Sequence, residues 1–316
     1  MQPEVSICIP AFKQVEFLRK TLNSVLKQTY SDYEIIITDD SPDDSVSILL
    51  KDFDFNGKLR YYRNDPALGT PANWNYAMEK ANGKYIKLLH HDDFFTSTGS
   101  LKKYVELLEN NPEASFAFSG TEIWFVSLNN KKKHWCSQNR LKKIKQSPDQ
   151  LFFANYIGSP SATIVRKNSE VLYDENLKWL VDIDFYIRLL KKNSNAVHTA
   201  ETLVCTVDGA EEQVTRAVIN DSVLQIREHV YLFNKLFNPG INLKKYSLFF
   251  QLLFHKHNLR NIQELDNIYP VPKKLEDFFV NVFALKGKNI LFKKILYWQG
   301  KTGFKDYLFM LKKISR

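Results

Sequence analysis

A chain of 316 residues, 44% apolar and 25% charged, with only 11 glycines and 11 prolines, has the material for one large domain or two smaller ones; a disordered or fibrous polymer is excluded. Cys8, Cys136 and Cys205 are too scattered for a zinc ribbon or a disulfide framework, so a reducing cytoplasm is the expected setting. No secretory signal and no run of ~18 apolar residues is visible, and the net charge of +9 sits mostly in residues 286–316, where nine Lys or Arg face Asp306 alone.

Up to residue 120 the chain alternates between two periods. "VSICIP" (5–10) reads as a buried strand, and 16–28 places Phe17, Leu18, Leu22, Val25 and Leu26 on one helical face. "YEIIIT" (33–38) is a second strand, stopping at Asp39-Asp40, and Asp43 is placed to cap a short helix ending at Leu50. A third strand covers 59–64, and Pro71 suits the first turn of a helix reaching Ala81. "KYIKLL" (84–89) is a fourth strand, followed by "HHDD", a helix over about 98–110 and a fifth strand at 115–120. This rhythm predicts an α/β fold, a Rossmann-like mixed, mostly parallel sheet flanked by helices. The polar, basic stretch 121–150 ("NNKKKHW") reads as an exposed loop, 159–167 as a strand, and 179–193 as a loop with Asp182 and Asp184 that becomes a helix. From about 221 the pattern is helical and aromatic.

Ligands of such sheets bind outside the carboxyl ends of the strands, where Asp39-Asp40 and His90-His91-Asp92-Asp93 fall. On a continuing strand His90 and Asp92 share one face and His91 and Asp93 the other, so all four meet one ion only if the strand breaks. Zinc is disfavoured, because no H-x-x-x-H or H-E-x-x-H is present. Carboxylate together with phosphate oxygens suits magnesium or manganese. The bland alternative is a solvated strand end that caps the next helix.

Three segments resemble the family 2 glycosyltransferases, inverting enzymes of the GT-A fold. They are "VSICIPAFKQVEFLRKTLNSVLKQTYSDYEIIITDDSPDDS", "ANGKYIKLLHHDDFF" and "LVDIDFYIRLLKKN", in family order and spacing over roughly residues 4–205. The resemblance implies a GT-A domain over 1–220, with a nucleotide-sugar half to about 120 and an acceptor half after it; residues 221–316 form a helical, basic region. It further implies that Pro10, Ala11 and Phe12 wall the nucleotide base and that Asp40 accepts a hydrogen bond from it, most simply from uracil. Asn73, Asn75 and His91 are implied nucleotide contacts, Asp92 with His90 the ligands of Mn2+ or Mg2+, and Asp182 the catalytic base. The chain departs from the family where His90 replaces the first acid of D-x-D, Val181 the acid before the base, and Trp74 a frequent Arg.

The implied reaction displaces a diphosphate from a sugar's anomeric carbon, with one carboxylate taking the acceptor's proton. By chemistry alone Asp184 serves as well as Asp182. The expected partners are a nucleotide-sugar donor, a glycan or lipid-linked acceptor, and an anionic membrane surface met by 286–316, which would hold a cytoplasmic enzyme peripherally on the membrane. Two other classes compete. A nucleotidyltransferase wants a Gly- and Lys-rich first loop, which "PAFKQVEFL" lacks; a nucleic-acid-binding protein is suggested by the basic tail, yet no nucleic-acid motif is present.

Overall fold

The computed structural model describes residues 2–167, 171–209, 218 and 221–285. The basic helix expected over 286–316 lies outside the described residues. The described chain divides into two compact units. The first runs through residue 151 and resumes at 155; the second holds Phe152–Ala154 and the C-terminal helices.

The first unit is built on β1 (Val5–Ala11), every residue of which is buried. A strand covered on both faces needs a continuous apolar run rather than an alternating one, which is why "VSICIP" reads as it does. Its neighbours are both parallel: β2 (Tyr33–Asp39) on one side, with β3 (Leu59–Arg63) beyond it, and β4 (Tyr85–Leu88) on the other. The connections are α1 (Val15–Leu26), α2 (Ser45–Leu50) and α3 (Ala72–Glu79). Asp43 closes the turn before α2 by accepting from the Ser45 N–H at 3.0 Å. Leu18, Leu22 and Val25 of α1 join Ile7, Ile9, Ile35 and Ile37 in one core. Gly83, which leads into β4, has a packing reason: a Cβ there would stand 2.5 Å from the Ser6 backbone nitrogen.

After the two-residue β5 (Phe94–Phe95) and α4 (Ser100–Glu109) come β6 (Phe116–Phe125) and β7 (Asn130–His134), then α5 (Gln138–Gln146) and β8 (Thr163–Arg166). α6 (Val181–Lys192) and β9 (Ala196–Asp208) complete the unit. The strand order is β3-β2-β1-β4-β8-β6-β9-β5, with β7 added to β6. This is the expected mixed sheet, parallel through its first four strands. β8 is antiparallel to both β4 and β6, so β6 runs in the direction of β4 and ends at the same edge. The chain leaves β1 for β2 and β3, then returns to β4 on β1's other side. That reversal opens a crevice at the carboxyl ends of β1, β2 and β4.

Two sequence expectations fail here. Residues 121–150 are not a loop: β6 continues to Phe125, β7 pairs with it in register from Thr121↔His134 to Phe125↔Asn130, and Ser137 caps α5 by accepting from the Arg140 N–H. β7 is exposed from Asn130 to Lys133, and an exposed edge strand needs no apolar alternation, so "NKKKH" carries no strand signal of its own. β9, 13 residues long, was not foreseen at all; it takes its place from β6, which it accompanies in parallel.

In the second unit α7 (Ser222–Leu236), α8 (Leu243–Lys256), α9 (Ile262–Ile268) and α10 (Lys273–Leu285) enclose an aromatic core. Phe250 lies 5.2 Å from Phe233 and 5.0 Å from Phe279, and Phe152 lies 5.0 Å from Phe249, centroid to centroid. Among the described residues no helix is long and apolar enough to cross a membrane.

Candidate active site

β4 ends at Leu88, and the backbone then turns, with the Asp93 N–H donating to the His90 carbonyl at 3.0 Å. The strand does break, and the turn overrides the face alternation expected of a strand. Ligand atoms of His90, Asp92 and Asp93 all lie within 4.8 Å of one another. Asp93 thus joins the expected pair His90 and Asp92 in the cluster. The His91 ring is directed elsewhere: its Nδ1 donates to the Pro10 carbonyl at 3.1 Å, tying the turn to the end of β1. Thr21 of α1 supports the turn from behind, its hydroxyl 2.8 and 2.7 Å from the carbonyls of His91 and Asp93.

The electrostatics follow from burial. Desolvation holds the His90 imidazole down at about 4, despite the Asp92 charge beside it. It is therefore neutral, and its Nε2 is buried with no hydrogen-bond partner among the described residues. Desolvation, then the neighbouring Asp92, raises the Asp93 carboxyl well above the usual range. Beneath them Lys87 is fully buried. Its amine bonds the Ser161 carbonyl and stands 4.6 Å over the Tyr104 ring; burial lowers it to about 7, opposed by Asp93. The Ser161 hydroxyl accepts from the His90 N–H at 2.9 Å and donates to Asp93. Sequence reasoning passed over Lys87 and Ser161; the signal for Lys87 was a lone charge inside an otherwise apolar strand.

At the end of β2 the two aspartates separate. Asp39 is fully buried and serves the fold, accepting from Tyr61 Oη at 2.8 Å and from the Ser41 N–H at 2.8 Å. Asp40 accepts on Oδ1 from Asn64 Nδ2 at 2.7 Å and the Leu68 N–H at 2.9 Å, and on Oδ2 from the Gly69 N–H at 2.8 Å. Its carboxylate is thereby fixed in direction. Ala11 is buried at the end of β1, and Phe12, half-buried, lies under the Lys13 amine. Lys13 and Gln14 then adopt left-handed backbone, φ 52° and 47°, a strained pair at the mouth of the crevice. The Gln14 carboxamide is buried with no partner among the described residues.

Asn73 and Asn75 are both buried, and their observed bonds are to the protein itself. Asn73 donates to the Thr38 carbonyl at 3.2 Å and accepts from Asn64 at 3.0 Å. Asn75 exchanges bonds of 2.9 and 2.8 Å with the backbone of Tyr173. Between them Trp74 contacts the His90 ring at 4.6 Å and the Tyr173 ring at 5.1 Å. Tyr173 in turn stacks on Phe185 of α6 at 4.1 Å. This aromatic row joins the His90 cluster to the start of α6.

There the two remaining aspartates differ. Asp184 is buried and ion-paired to Arg188 at 2.7 Å. Asp182 is half-buried; its Oδ2 accepts from Asn155 Nδ2 at 2.7 Å and its Oδ1 from the Ile183 N–H at 2.8 Å. The two therefore differ in burial and bonding, although spacing alone left them equivalent. Asn155 carried no sequence signal.

The family model described as "Glycosyl transferase family 2" matches residues 6–171, more than half of the chain. The chain belongs to that family. Membership of this family is what the three motifs implied. A glycosyltransferase of Methanocaldococcus jannaschii with no further description is 28% identical over 196 residues, covering 60% of this chain and 65% of that protein. The Escherichia coli UDP-Glc:alpha-D-GlcNAc-diphosphoundecaprenol beta-1,3-glucosyltransferase WfgD is 29% identical over 119 residues, 38% of this chain and 46% of that one. In both cases the match spans less than two-thirds of the relative's own length. Among solved structures, the mannosyltransferase PcManGT of Pyrobaculum calidifontis, in complex with GDP-Man and Mn2+, shares the fold at a TM-score of 0.57 and 11% identity, over 99% of this chain and 84% of that chain. S. aureus TarS with UDP-GlcNAc does so at 0.57 and 16%, over 88% and 79%.

Proposed function

We propose that this glycosyltransferase moves a sugar from a nucleotide diphosphate sugar, with uridine as the base, to an acceptor hydroxyl in one inverting displacement, in the assembly of a surface glycan. The catalytic part is residues 1–220, and the acceptor is a glycan or a lipid-linked sugar of the kind WfgD's name describes. The observation that carries the reading is the His90–Asp92–Asp93 cluster at the carboxyl edge shared with Asp40, with Asp182 reached through the Trp74–Tyr173 row.

Asp40 takes the base imide on a carboxylate already oriented by Asn64, Leu68 and Gly69, while Pro10, Ala11 and Phe12 wall the base. Asn73 and Asn75 act through the elements they brace, and His91 holds the turn against β1. The donor set fits a divalent cation: two carboxylates and a neutral imidazole with an unpartnered Nε2. Asp92 and His90 would hold Mn2+ or Mg2+, with Asp93 beside them. Such an ion, when bound, supplies positive charge to the donor's diphosphate. Asp182 takes the acceptor proton, and Asn155 and the Ile183 N–H keep its oxygens aimed. A single displacement needs no second carboxylate as nucleophile.

Calorimetry tests the donor side. UDP is expected to bind only with Mn2+ or Mg2+, more weakly in Asp40→Ala, and to lose this metal-dependent binding in Asp92→Asn. Metal-dependent binding unchanged in both variants overturns the assignment.

A further inference from the structure

The stretch that sequence reasoning set aside as a loop carries the most unusual surface of the first unit. Residues 126–148 contain Lys131, Lys132, Lys133, Arg140, Lys142, Lys143 and Lys145 and no acid. The structure builds them into the β6–β7 hairpin and α5, with Lys131, Lys132, Lys133, Lys142 and Lys143 all exposed. Lys131 pairs with Glu122 across the hairpin at 2.6 Å. Two large apolar side chains stand among these cations. Leu128, in the turn of the hairpin, is 72% exposed, and Trp135, just after β7, is 50% exposed.

The position matters as much as the composition. β6 runs parallel to β4, so the hairpin projects from the sheet edge that carries His90, Asp92 and Asp93. Its root adjoins the bracket of the candidate base. A Cβ on Gly158 would lie 3.8 Å from His134 Nδ1 and 3.9 Å from Thr121 Cγ2. The Gly158 carbonyl accepts from Asn155 Nδ2, the group that also holds Asp182.

We propose that the β6–β7 hairpin and α5 dock the enzyme on an anionic lipid bilayer, with lysines over the headgroups and Leu128 and Trp135 at the acyl boundary. Charge complementarity selects this occupant. Clustered lysines in net excess over acids attract anionic headgroups, and an exposed leucine and tryptophan gain by entering the interface, with no spanning helix needed. The contact brings the crevice to the surface where a lipid-linked acceptor is carried. It does not depend on the donor or acceptor assigned above, and its vesicle-binding readout contains neither.

Full-length protein is sedimented with vesicles of phosphatidylcholine alone or mixed with phosphatidylglycerol, at low and high salt. Binding to the mixed vesicles, released by salt, is expected for the wild type. The combined variant Lys132→Glu, Lys133→Glu, Lys142→Glu, Lys143→Glu is expected to bind at least about tenfold more weakly, with unchanged melting and unchanged donor hydrolysis. Quenching of tryptophan fluorescence by brominated lipid is expected to fall in Trp135→Phe. Three outcomes overturn the proposal: no wild-type binding to mixed vesicles, equal binding by the charge-reversed protein, which moves the contact to another part of the chain, or loss of heparin binding in that variant with vesicle binding intact, which makes the surface a polyanion site.

Discussion

The carboxyl edge of the sheet and the C-terminal helices bury side chains for opposite ends. At the edge Asp39, Asp40, Lys87 and Asp93 are buried polar groups, each held by named hydrogen bonds or charges. In the helical unit the interior is mainly rings, Phe152, Phe233, Phe249, Phe250, Phe254 and Phe279, with a few polar groups such as Glu228 and His229 among them. Burying an ionisable group opposes folding unless it is paired, whereas burying a phenyl ring favours it in proportion to area. One region therefore spends stability on orientation, and the other supplies stability without chemistry.

The comparison is sharpened most by Asp182→Asn. The asparagine keeps the shape but takes no proton, so kcat is expected to fall by ~10²–10⁴ with nucleotide binding by calorimetry unchanged. A fully active variant would place the base elsewhere. Next comes Phe250→Ala, at the centre of the aromatic unit. A loss of about 3–5 kcal/mol is expected from the cavity, read by urea unfolding, with metal-dependent UDP binding kept by the protein that remains folded. A loss under about 1 kcal/mol would show that the rings are loosely packed.

The third test uses pH. Burial lowers His229, packed 4.9 Å from Phe249 and facing Lys256 and His257, to about 4 from an ordinary 6.5. Between those values the unfolded chain binds the proton and the folded chain does not, so stability falls as pH drops through that window, by about 3 kcal/mol for this group. His257, half-buried and shifted the same way, adds to the loss. His229→Phe is expected to flatten the dependence of the melting temperature between pH 7 and 4.5; an unchanged slope would assign it to other groups. The smallest effect is expected at Asn155→Ala. Freed from the Asn155 amide, Asp182 should lose aim, lowering kcat about tenfold with KM unchanged, and Asn155→Gln should restore little. A change in KM alone would make Asn155 a substrate contact.

Legibility followed the same division. The buried strands and the amphipathic α1 announce themselves through periodicity, because a strand covered on both faces and a helix covered on one need apolar residues at set intervals. β7 and β9 do not, since their places come from pairing with β6. At the site, Asp40, Asp92 and Asp182 stand at motif positions, while Asn64, Asn155 and Ser161 are polar residues in loops with no pattern to distinguish them.

The sequence by itself determined the family, the sheet's first four strands and the acids that end them, because local patterns of apolar spacing and motif order are enough for these. Tertiary structure alone decided how each acid is buried and bonded. A turn after Leu88 swings Asp93 in beside His90, Tyr61 and Ser41 commit Asp39 to the fold, and Arg188 commits Asp184 while Asn155 holds Asp182 half-exposed. A carboxylate's role depends on its desolvation and its donors. Those donors come from residues up to 114 positions away in the chain, as with Val207 on Asp93, where no local pattern reaches.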